Sequence, residues 1–379
     1  MLISGKERKM ANKKSRLEEA EERTQAALNK TNAKIDELGK VNSILYAELC
    51  NIQNVIDAIR NMPDEEKLRY NEQKKICREW RQQVEKIEKD YKNAMNKNAG
   101  MGAVGASVGV ATVAFGPTAA MGVATTFGVA STGTAISTLS GAAATNAALA
   151  WLGGGALAAG GGGMAAGNFL LWLAGPVGWT IAGVSLLTGG ILFWRNQGEK
   201  KRLEDIFTLI SERDTKNYVL AIVELNERNA RIKDESGKLR EANKDILSFG
   251  LDYDAMSEAQ QYALGSYVNL MKSATQLLVN PIQGLLPKYT EADLKEFAKR
   301  KFTGYVVEWC DDNESMITYL ANLLYKIELD RKDQILLWKF FRKNKELLRS
   351  YGISEKDFIE YFVNITVWAL EYKYSAYVA

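Results

Sequence analysis

Apolar residues recur at alternating steps of three and four in two stretches of the chain, residues 17–59 and 222–246. This spacing is typical of the apolar face of a coiled coil, so each stretch predicts a long helix. Folded back on each other, the two helices would form an antiparallel stalk. Polar residues interrupt the apolar rows at Asn42, Asn229 and Asn243. Such residues either fix the register of a coiled coil or mark a face that rearranges.

Turn and capping residues indicate further helix boundaries. Pro63 precedes three acidic residues and predicts a break and restart, after which a second helix continues to about Lys97. In the last part of the chain, Ser257, Thr290 and Ser354 each precede acidic residues and resemble helix N-caps. The carboxyl-terminal region is therefore predicted to be helical.

Between the two coiled-coil stretches lies a segment without charge, called here the uncharged segment. From Asn98 to Trp194 the chain has no Asp, Glu, Lys, Arg or His, and 22 of its 31 glycines lie there. A helix on the surface of a soluble protein needs a polar face, and this segment has none. We expect a glycine- and alanine-rich hydrophobic hairpin that inserts into a membrane. The alternative is that the segment forms the buried core of a large helical bundle.

The last part of the uncharged segment predicts a membrane-spanning helix. Residues 169–194 are 26 uncharged residues, whereas a bilayer-spanning helix needs about 20. The tryptophans of this stretch are typical of membrane boundaries. The predicted membrane-inserting residues are Phe169, Leu170, Leu171, Trp172, Trp179, Ile181, Ala182, Leu186, Leu187, Ile191, Leu192, Phe193 and Trp194.

Small residues recur at spacings of four in the uncharged segment, a pattern that lets helices approach closely within a bilayer. The predicted helix-packing residues are Gly105, Gly109, Gly160, Gly162, Gly178, Ser185 and Gly189. A basic group follows the segment directly and is expected at the membrane interface. Its members are Arg195, Lys200, Lys201 and Arg202.

The composition argues against an enzyme. The chain contains no histidine, which excludes a Ser-His-Asp triad and a histidine-ligated zinc site. The glycine-rich residues 153–167 follow no predicted strand and lack a subsequent Gly-Lys-Ser or Gly-Lys-Thr, so they do not indicate a nucleotide-binding loop. We therefore predict no catalytic residues, no cofactor, no metal and no small-molecule substrate.

Charge and cysteine content limit the partners and the compartment. The net charge of +3 comes from 49 basic and 46 acidic residues that are well mixed, so nucleic acid is not implied. The three cysteines lack metal-ligand spacing and do not indicate a disulfide framework. The first 24 residues lack the apolar core of a signal peptide. We expect a soluble cytoplasmic product that acts at a membrane, either a target membrane after secretion or its own inner membrane.

The architecture resembles that of the α-helical pore-forming toxins of the cytolysin A and haemolysin BL type. The resemblance rests on long antiparallel helices, the uncharged hairpin from Asn98 to Trp194 and the missing leader, and it covers about the first 250 residues. It implies a soluble form that shelters its apolar hairpin, then inserts and assembles as a homo-oligomer or with related subunits. The glycine pattern is also similar to that of intracellular bacterial membrane-active proteins, which implies an effector acting on its own membrane.

The leading expectation is a membrane-permeabilising, pore-forming protein that is soluble first and inserts its helical hairpin into a lipid membrane on oligomerisation. The alternatives are a constitutive membrane-anchored coiled-coil scaffold or tether, and an enzyme or regulatory module of unrecognised type. The expected fold is all-α, with a coiled-coil stalk, the inserting hairpin and a carboxyl-terminal helical region. Its four parts are residues 1–97, 98–194, 195–250 and 251–379.

Overall fold

A computed structural model describes residues 14–99, 117–127, 191 and 194–375, and within these ranges the regular structure is helical, without a β-strand. The predicted all-α fold is thereby confirmed. The helices are α1 (Arg16–Asp57), α2 (Asp64–Ala99), α3 (Pro117–Phe127), α4 (Gln197–Phe249), α5 (Glu258–Val279), α6 (Glu291–Lys301), α7 (Tyr305–Asp312), α8 (Glu314–Leu324), α9 (Arg331–Lys343), α10 (Lys345–Ser350) and α11 (Tyr361–Ser375). Short 3₁₀ turns lie at Tyr253–Ala255 and Gln283–Leu285.

Helix α1 begins at a capping box. The Ser15 hydroxyl accepts a hydrogen bond from the Glu18 N–H at 3.1 Å, and the Glu18 carboxylate accepts one from the Ser15 N–H at 2.8 Å. These bonds satisfy N–H groups that have no partner within the helix. The apolar row predicted from Leu28 to Ile56 is buried along its length. The chain then breaks before Pro63 and restarts as α2, as the sequence predicts.

The direction of α4 relative to α1 differs from the prediction. Glu37 of α1 pairs with Lys233 of α4 at 2.9 Å. Further along, Glu48 pairs with Arg240 at 2.8 Å. Because both partners advance together along the sequence, α1 and α4 are parallel. The predicted antiparallel pairing of the two coiled-coil stretches is therefore wrong.

The antiparallel neighbour of α1 is the next helix along the chain, α2. The Tyr70 hydroxyl donates to the Gln53 carbonyl oxygen at 2.9 Å. Nearer the start of α1, the ring centroids of Tyr46 and Trp80 lie 5.4 Å apart. As the α1 residue number falls, that of its α2 partner rises, so the two helices run in opposite directions. A short connection permits only this return, which is the physical reason that α2 takes the place predicted for α4.

Helix α5 returns along α4 in the same way. The Tyr267 hydroxyl donates to the Asp245 carboxylate at 2.6 Å, and Arg228 donates to the Asn280 carbonyl oxygen at 2.7 Å. Helices α1, α2, α4 and α5 therefore alternate in direction along the chain. Because α2 runs back toward the end of the bundle where α1 starts, α4 runs alongside α1 from that same end, where Arg16 pairs with Glu212 at 3.2 Å.

Two apolar clusters stabilise the described part of the chain. The bundle core combines α1, α2, α3, α5 and the part of α4 from Tyr218 to Ile246. The carboxyl-terminal core combines the start of α4, around Leu203 and Ile210, with α6 to α9, α11 and Leu347 and Leu348 of α10. Because α4 contributes to both cores, it connects them through continuous helix.

The predicted helix starts in the last part of the chain have different outcomes. Ser257 and Thr290 cap α5 and α6, each within a capping box, which confirms these two predictions. Ser354 also accepts a hydrogen bond, from the Asp357 N–H at 3.3 Å, but residues 355–357 form only a turn. The prediction of a helix start at Ser354 is wrong, because the same side-chain bond caps turns as well as helices. Helix α11 starts at Tyr361 instead.

Candidate functional site in the uncharged segment

Helix α3 is the one described helix that lies wholly within the uncharged segment; Asn98 and Ala99 end α2. Its sequence, PTAAMGVATTF, starts with Pro117. Proline suits the first helical position, because its fixed φ matches the helix and the N–H that it lacks would have no partner there. Among the described residues, no helix combines the length and the apolar character that crossing a bilayer requires.

Helix α3 lies inside the bundle and contacts α1, α2 and α5. Each of the side chains that face these helices is at most 5 % exposed; they are Ala120, Met121, Val123, Ala124, Thr125 and Thr126. Consecutive positions of a helix point to all sides, so burial of this run encloses α3 from Ala120 to Thr126, whereas Thr118 near its start is exposed. An uncharged helix is what such a position requires, because a charge there would lose its hydration.

Two glycines bring the backbones of α1 and α3 together. A Cβ atom on Gly39 would lie 1.8 Å from the Thr118 carbonyl oxygen and 3.1 Å from the Gly122 nitrogen. A Cβ atom on Gly122 would lie 2.3 Å from the Ile35 carbonyl oxygen. Both distances to oxygen are far shorter than any real contact of a methyl group. Only glycine at both positions permits this crossing.

A polar network lies next to the crossing. Asn42 Nδ2 donates to Thr125 Oγ1 at 2.8 Å, and Trp80 Nε1 donates to the same oxygen at 3.2 Å. The Ile282 N–H donates to the Thr126 carbonyl oxygen at 2.8 Å. A buried donor without a partner destabilises the fold, so these hydrogen bonds favour α3 over other helices in this position.

Two titratable groups near Trp80, the thiol of Cys77 and the phenol of Tyr46, are neutral. Burial raises the pKa of the Cys77 thiol, which lies 3.5 Å from the Thr275 hydroxyl. Burial also raises the pKa of Tyr46 to about 12. Contacts between neutral groups depend little on salt, so we expect salt to have little effect on the docking of α3.

The far end of the uncharged segment is anchored in the other core. Ile191 and Trp194, both predicted as membrane-inserting residues, are buried in the carboxyl-terminal core. Trp194 packs against Phe340 with ring centroids 6.1 Å apart, and its Nε1 donates to Glu199 at 2.8 Å. The Nζ of Lys343 lies 3.8 Å from the centroid of the Trp194 ring. In this conformation the end of the predicted spanning helix is therefore part of the folded body.

The predicted interfacial basic group is split between solvent and ion pairs. Arg195 and Lys201 are exposed. Lys200 lies 3.9 Å from Glu204 of the same helix. Arg202 pairs with Asp330 and Asp333 at the start of α9. The remaining predicted site residues lie outside the described residues; they are Phe169, Leu170, Leu171, Trp172, Trp179, Ile181, Ala182, Leu186, Leu187, Leu192, Phe193, Gly105, Gly109, Gly160, Gly162, Gly178, Ser185 and Gly189.

A second polar cluster joins α4 to the carboxyl-terminal core. The Arg213 guanidinium donates to Asp214 Oδ1 at 2.8 Å and to the carbonyl oxygens of Leu323 and Tyr325 at 2.9 and 2.6 Å. It also lies 4.0 Å from the centroid of the Tyr325 ring. Burial raises the pKa of Asp214 to about 6, although the Arg213 charge lowers it. Asp214 therefore titrates close to neutral pH.

The sequence indicates the residues of this site only in part. The interrupted apolar row predicts Asn42 as a polar layer of the coiled coil, but its partner is Thr125 of α3. The sequence predicts Trp80 only as part of the apolar row of the second helix, and Gly39 carries no local signal. The contacts of both with α3 depend on a helix far away in the sequence. Within the described ranges, no group of three or more His, Cys, Asp or Glu side chains is placed to bind a metal ion.

Comparison of the chain with protein-family models, with curated proteins and with solved structures finds no match. The proposals below therefore rest on the residues and contacts of this chain.

Proposed function

We propose that this protein permeabilises lipid membranes by inserting its uncharged segment after release from a sheltered, soluble conformation, and that it oligomerises as it does so. The observation that supports the proposal most is the burial of α3. A helix from a segment with no charged residue over 97 positions is enclosed by the bundle through the contacts of Gly39 and Asn42. A protein that carries a membrane-inserting segment in water needs such a shelter, because exposed apolar surface of this extent aggregates.

Two described parts of the uncharged segment, helix α3 and the segment's last residues, support this proposal. Helix α3 packs in the bundle core, whereas Ile191 and Trp194 pack in the carboxyl-terminal core. Insertion of residues 169–194 as a spanning helix would withdraw Ile191 and Trp194 from that core. The inserted form would therefore require a rearrangement at the start of α4, where the chain leaves the segment.

The energetic case follows from the residue types of the segment. Burial of apolar surface favours the folded body and the bilayer alike, at about 25 cal/mol per Å². Without charges in the segment, transfer between these two environments avoids the cost of about 2.5–3.5 kcal/mol that one central charge imposes. Two environments of similar free energy are the condition for a protein that changes from one to the other.

A leakage assay tests the proposal. Ala182→Lys places a charge near the middle of the predicted span, and we expect dye release from vesicles to fall by more than about tenfold, given the cost of central charges. The matched control is Val219→Lys, which adds the same charge on α4 at a side chain that is 52 % exposed. This control should release dye as the parent does. A parent chain that releases no dye, or an Ala182→Lys variant with parental release, contradicts the proposal.

A further inference from the structure

The surroundings of α3 form a site for one particular helix. We call this site the α3 groove and define it by Ile35, Gly39, Asn42, Trp80 and Ile282. Four of these residues make contacts that depend on the α3 sequence: Ile35 and Gly39 approach the backbone at Gly122, and Asn42 and Trp80 donate hydrogen bonds to the Thr125 hydroxyl. The Ile282 N–H adds a bond to the Thr126 carbonyl oxygen, which fixes the position of the last turn. A helix with larger side chains, or without Thr125, does not fit. The groove therefore recognises α3 by shape and by hydrogen bonding.

The covalent connections do not determine whose α3 occupies the groove. Trp80 contacts α3, and Ala99 ends α2 19 residues later, a distance of about 28 Å along the helix. Residues 100–116 then lead to Pro117, and fully extended they reach about 60 Å. On its other side α3 is followed by residues 128–190 before Ile191. The chain is thus long enough to reach the groove of its own bundle or that of an adjacent bundle.

An empty groove is costly, and an identical helix from another copy removes that cost. Without α3, Asn42 Nδ2, Trp80 Nε1 and the Ile282 N–H would lose the partners they have in this structure. A second copy carries the same α3 and restores the same contacts. Exchange of an identical element is for this reason a low-cost route to association.

We infer that, on assembly, α3 of one copy occupies the α3 groove of a second copy of this chain. This inference rests on the proposed function. The exchange would free the uncharged segment from its own bundle, while a helix would still occupy each α3 groove. It also names the surface through which the copies associate. The exchange itself needs no lipid and is testable in solution.

A pair of complementary variants tests the exchange. Gly39→Leu closes the groove but leaves α3 intact, whereas Gly122→Leu leaves the groove open but prevents its own α3 from fitting. Alone, neither variant has a compatible groove and helix. Mixed, the α3 of the Gly39→Leu copy fits the groove of the Gly122→Leu copy. Copies with different affinity tags should co-purify about tenfold more strongly in the mixture than within either variant alone.

Helicity by circular dichroism confirms that both variants are folded, and the milder pair Gly39→Ala and Gly122→Ala repeats the test if either leucine variant is not. Co-purification that is equal in the mixture and in the single variants overturns the inference, as does its absence. Dye release from phosphatidylcholine and phosphatidylglycerol vesicles is measured on the same mixture. Association without release supports the exchange and contradicts permeabilisation, whereas release without association contradicts the exchange alone.

A crosslink gives a second, independent measurement with the groove unobstructed. One copy carries Asn42→Cys and the other Thr125→Cys, both in chains whose native cysteines are replaced by alanine; the parental side chains are 2.8 Å apart. After assembly on the same vesicles, a disulfide-linked dimer that contains one copy of each is expected. Its absence under oxidising conditions, while a single chain with both cysteines forms the bond internally, overturns the inference.

Discussion

Gly39 and Gly122 bring two helices into backbone contact although they lie far apart in the sequence. A Cβ on Gly39 would lie 3.1 Å from the Gly122 nitrogen and 1.8 Å from the Thr118 carbonyl oxygen. The close approach places Asn42 within hydrogen-bonding distance of Thr125. At this one crossing, the close approach of the backbones and the hydrogen bond from Asn42 therefore both favour α3 over other helices.

Replacing Gly39 by alanine should lower the free energy of unfolding by about 2 kcal/mol, because the added methyl group overpacks the crossing. The matched control is Gly237→Ala in α4, where a Cβ meets nothing within 4 Å. That change should raise the free energy of unfolding by about 0.5–1 kcal/mol through helix propensity alone. Urea unfolding followed by circular dichroism measures both. Equal effects of the two substitutions would contradict the close approach.

A double-mutant cycle should detect the bond between Asn42 and Thr125. We expect the substitutions Asn42→Ala and Thr125→Ala to be coupled by about 1 kcal/mol, because each removes the partner of the other. Asn229→Ala with Thr125→Ala is the control cycle, since Asn229 donates instead to the Lys34 carbonyl oxygen, at 3.4 Å. Additive effects in the first cycle would mean that the hydrogen bond does not contribute to docking.

The pKa of Asp214, raised by burial to about 6 from an ordinary value of 3.8, makes folding pH-dependent. The folded state binds the proton more tightly than the unfolded chain. The stabilisation is therefore present below about pH 4 and is lost as the pH rises through 6. Groups facing Asp214 are Arg213 and Tyr218 on α4 and Tyr325 after α8, and Lys288 lines the same cavity.

When the pH is lowered from 7 to 4, the free energy of unfolding of the parent should rise by about 2 kcal/mol relative to that of Asp214→Asn, because the variant cannot take up this proton. Other acidic groups also titrate in this range, so the quantity to compare is the difference between parent and variant at each pH. Asp311→Asn, at an exposed carboxylate, serves as the control. Parallel pH profiles for the parent and Asp214→Asn would show that the carboxyl group is not buried as described.

Crosslinking should establish the parallel direction of α1 and α4 in solution. In a chain whose native cysteines are replaced by alanine, Glu48→Cys and Arg240→Cys should join through a short bifunctional reagent, since the parental side chains are 2.8 Å apart. The control pair is Glu48→Cys with Lys233→Cys, because Lys233 lies about 10 Å from Arg240 along α4 and should crosslink less. A preference for Glu48 with Lys233, together with one for Glu37 with Arg240, would indicate antiparallel helices.

Local signals explain the parts of the fold that were predictable. The apolar rows of α1 and α4, the break at Pro63 and the caps at Ser257 and Thr290 involve residues close in sequence, whose effects do not depend on distant contacts. The failure at Ser354 marks the limit of such signals. A capping side chain begins a helix only where the following residues can bury an apolar face.

The candidate site was predictable in part. The absence of charge from Asn98 to Trp194 indicates apolar surroundings, and α3 does lie in such surroundings. The sequence has no means of indicating that α3 meets Gly39 and Trp80, since any uncharged helix with small residues satisfies the same local pattern. The match between Gly122 and Gly39 exists only once both helices are placed.

By itself the sequence determined that the chain is helical, where most of the long helices lie, and that one segment carries no charge. Only the tertiary structure decided that α1 and α4 are parallel and that α3 occupies the bundle. The physical reason is that an apolar row repeats in either direction along a helix and so carries no information on the orientation of its partner. Orientation follows instead from short connections, which force α2 and α5 to return, and from contacts such as Glu48 with Arg240 that form in one arrangement alone.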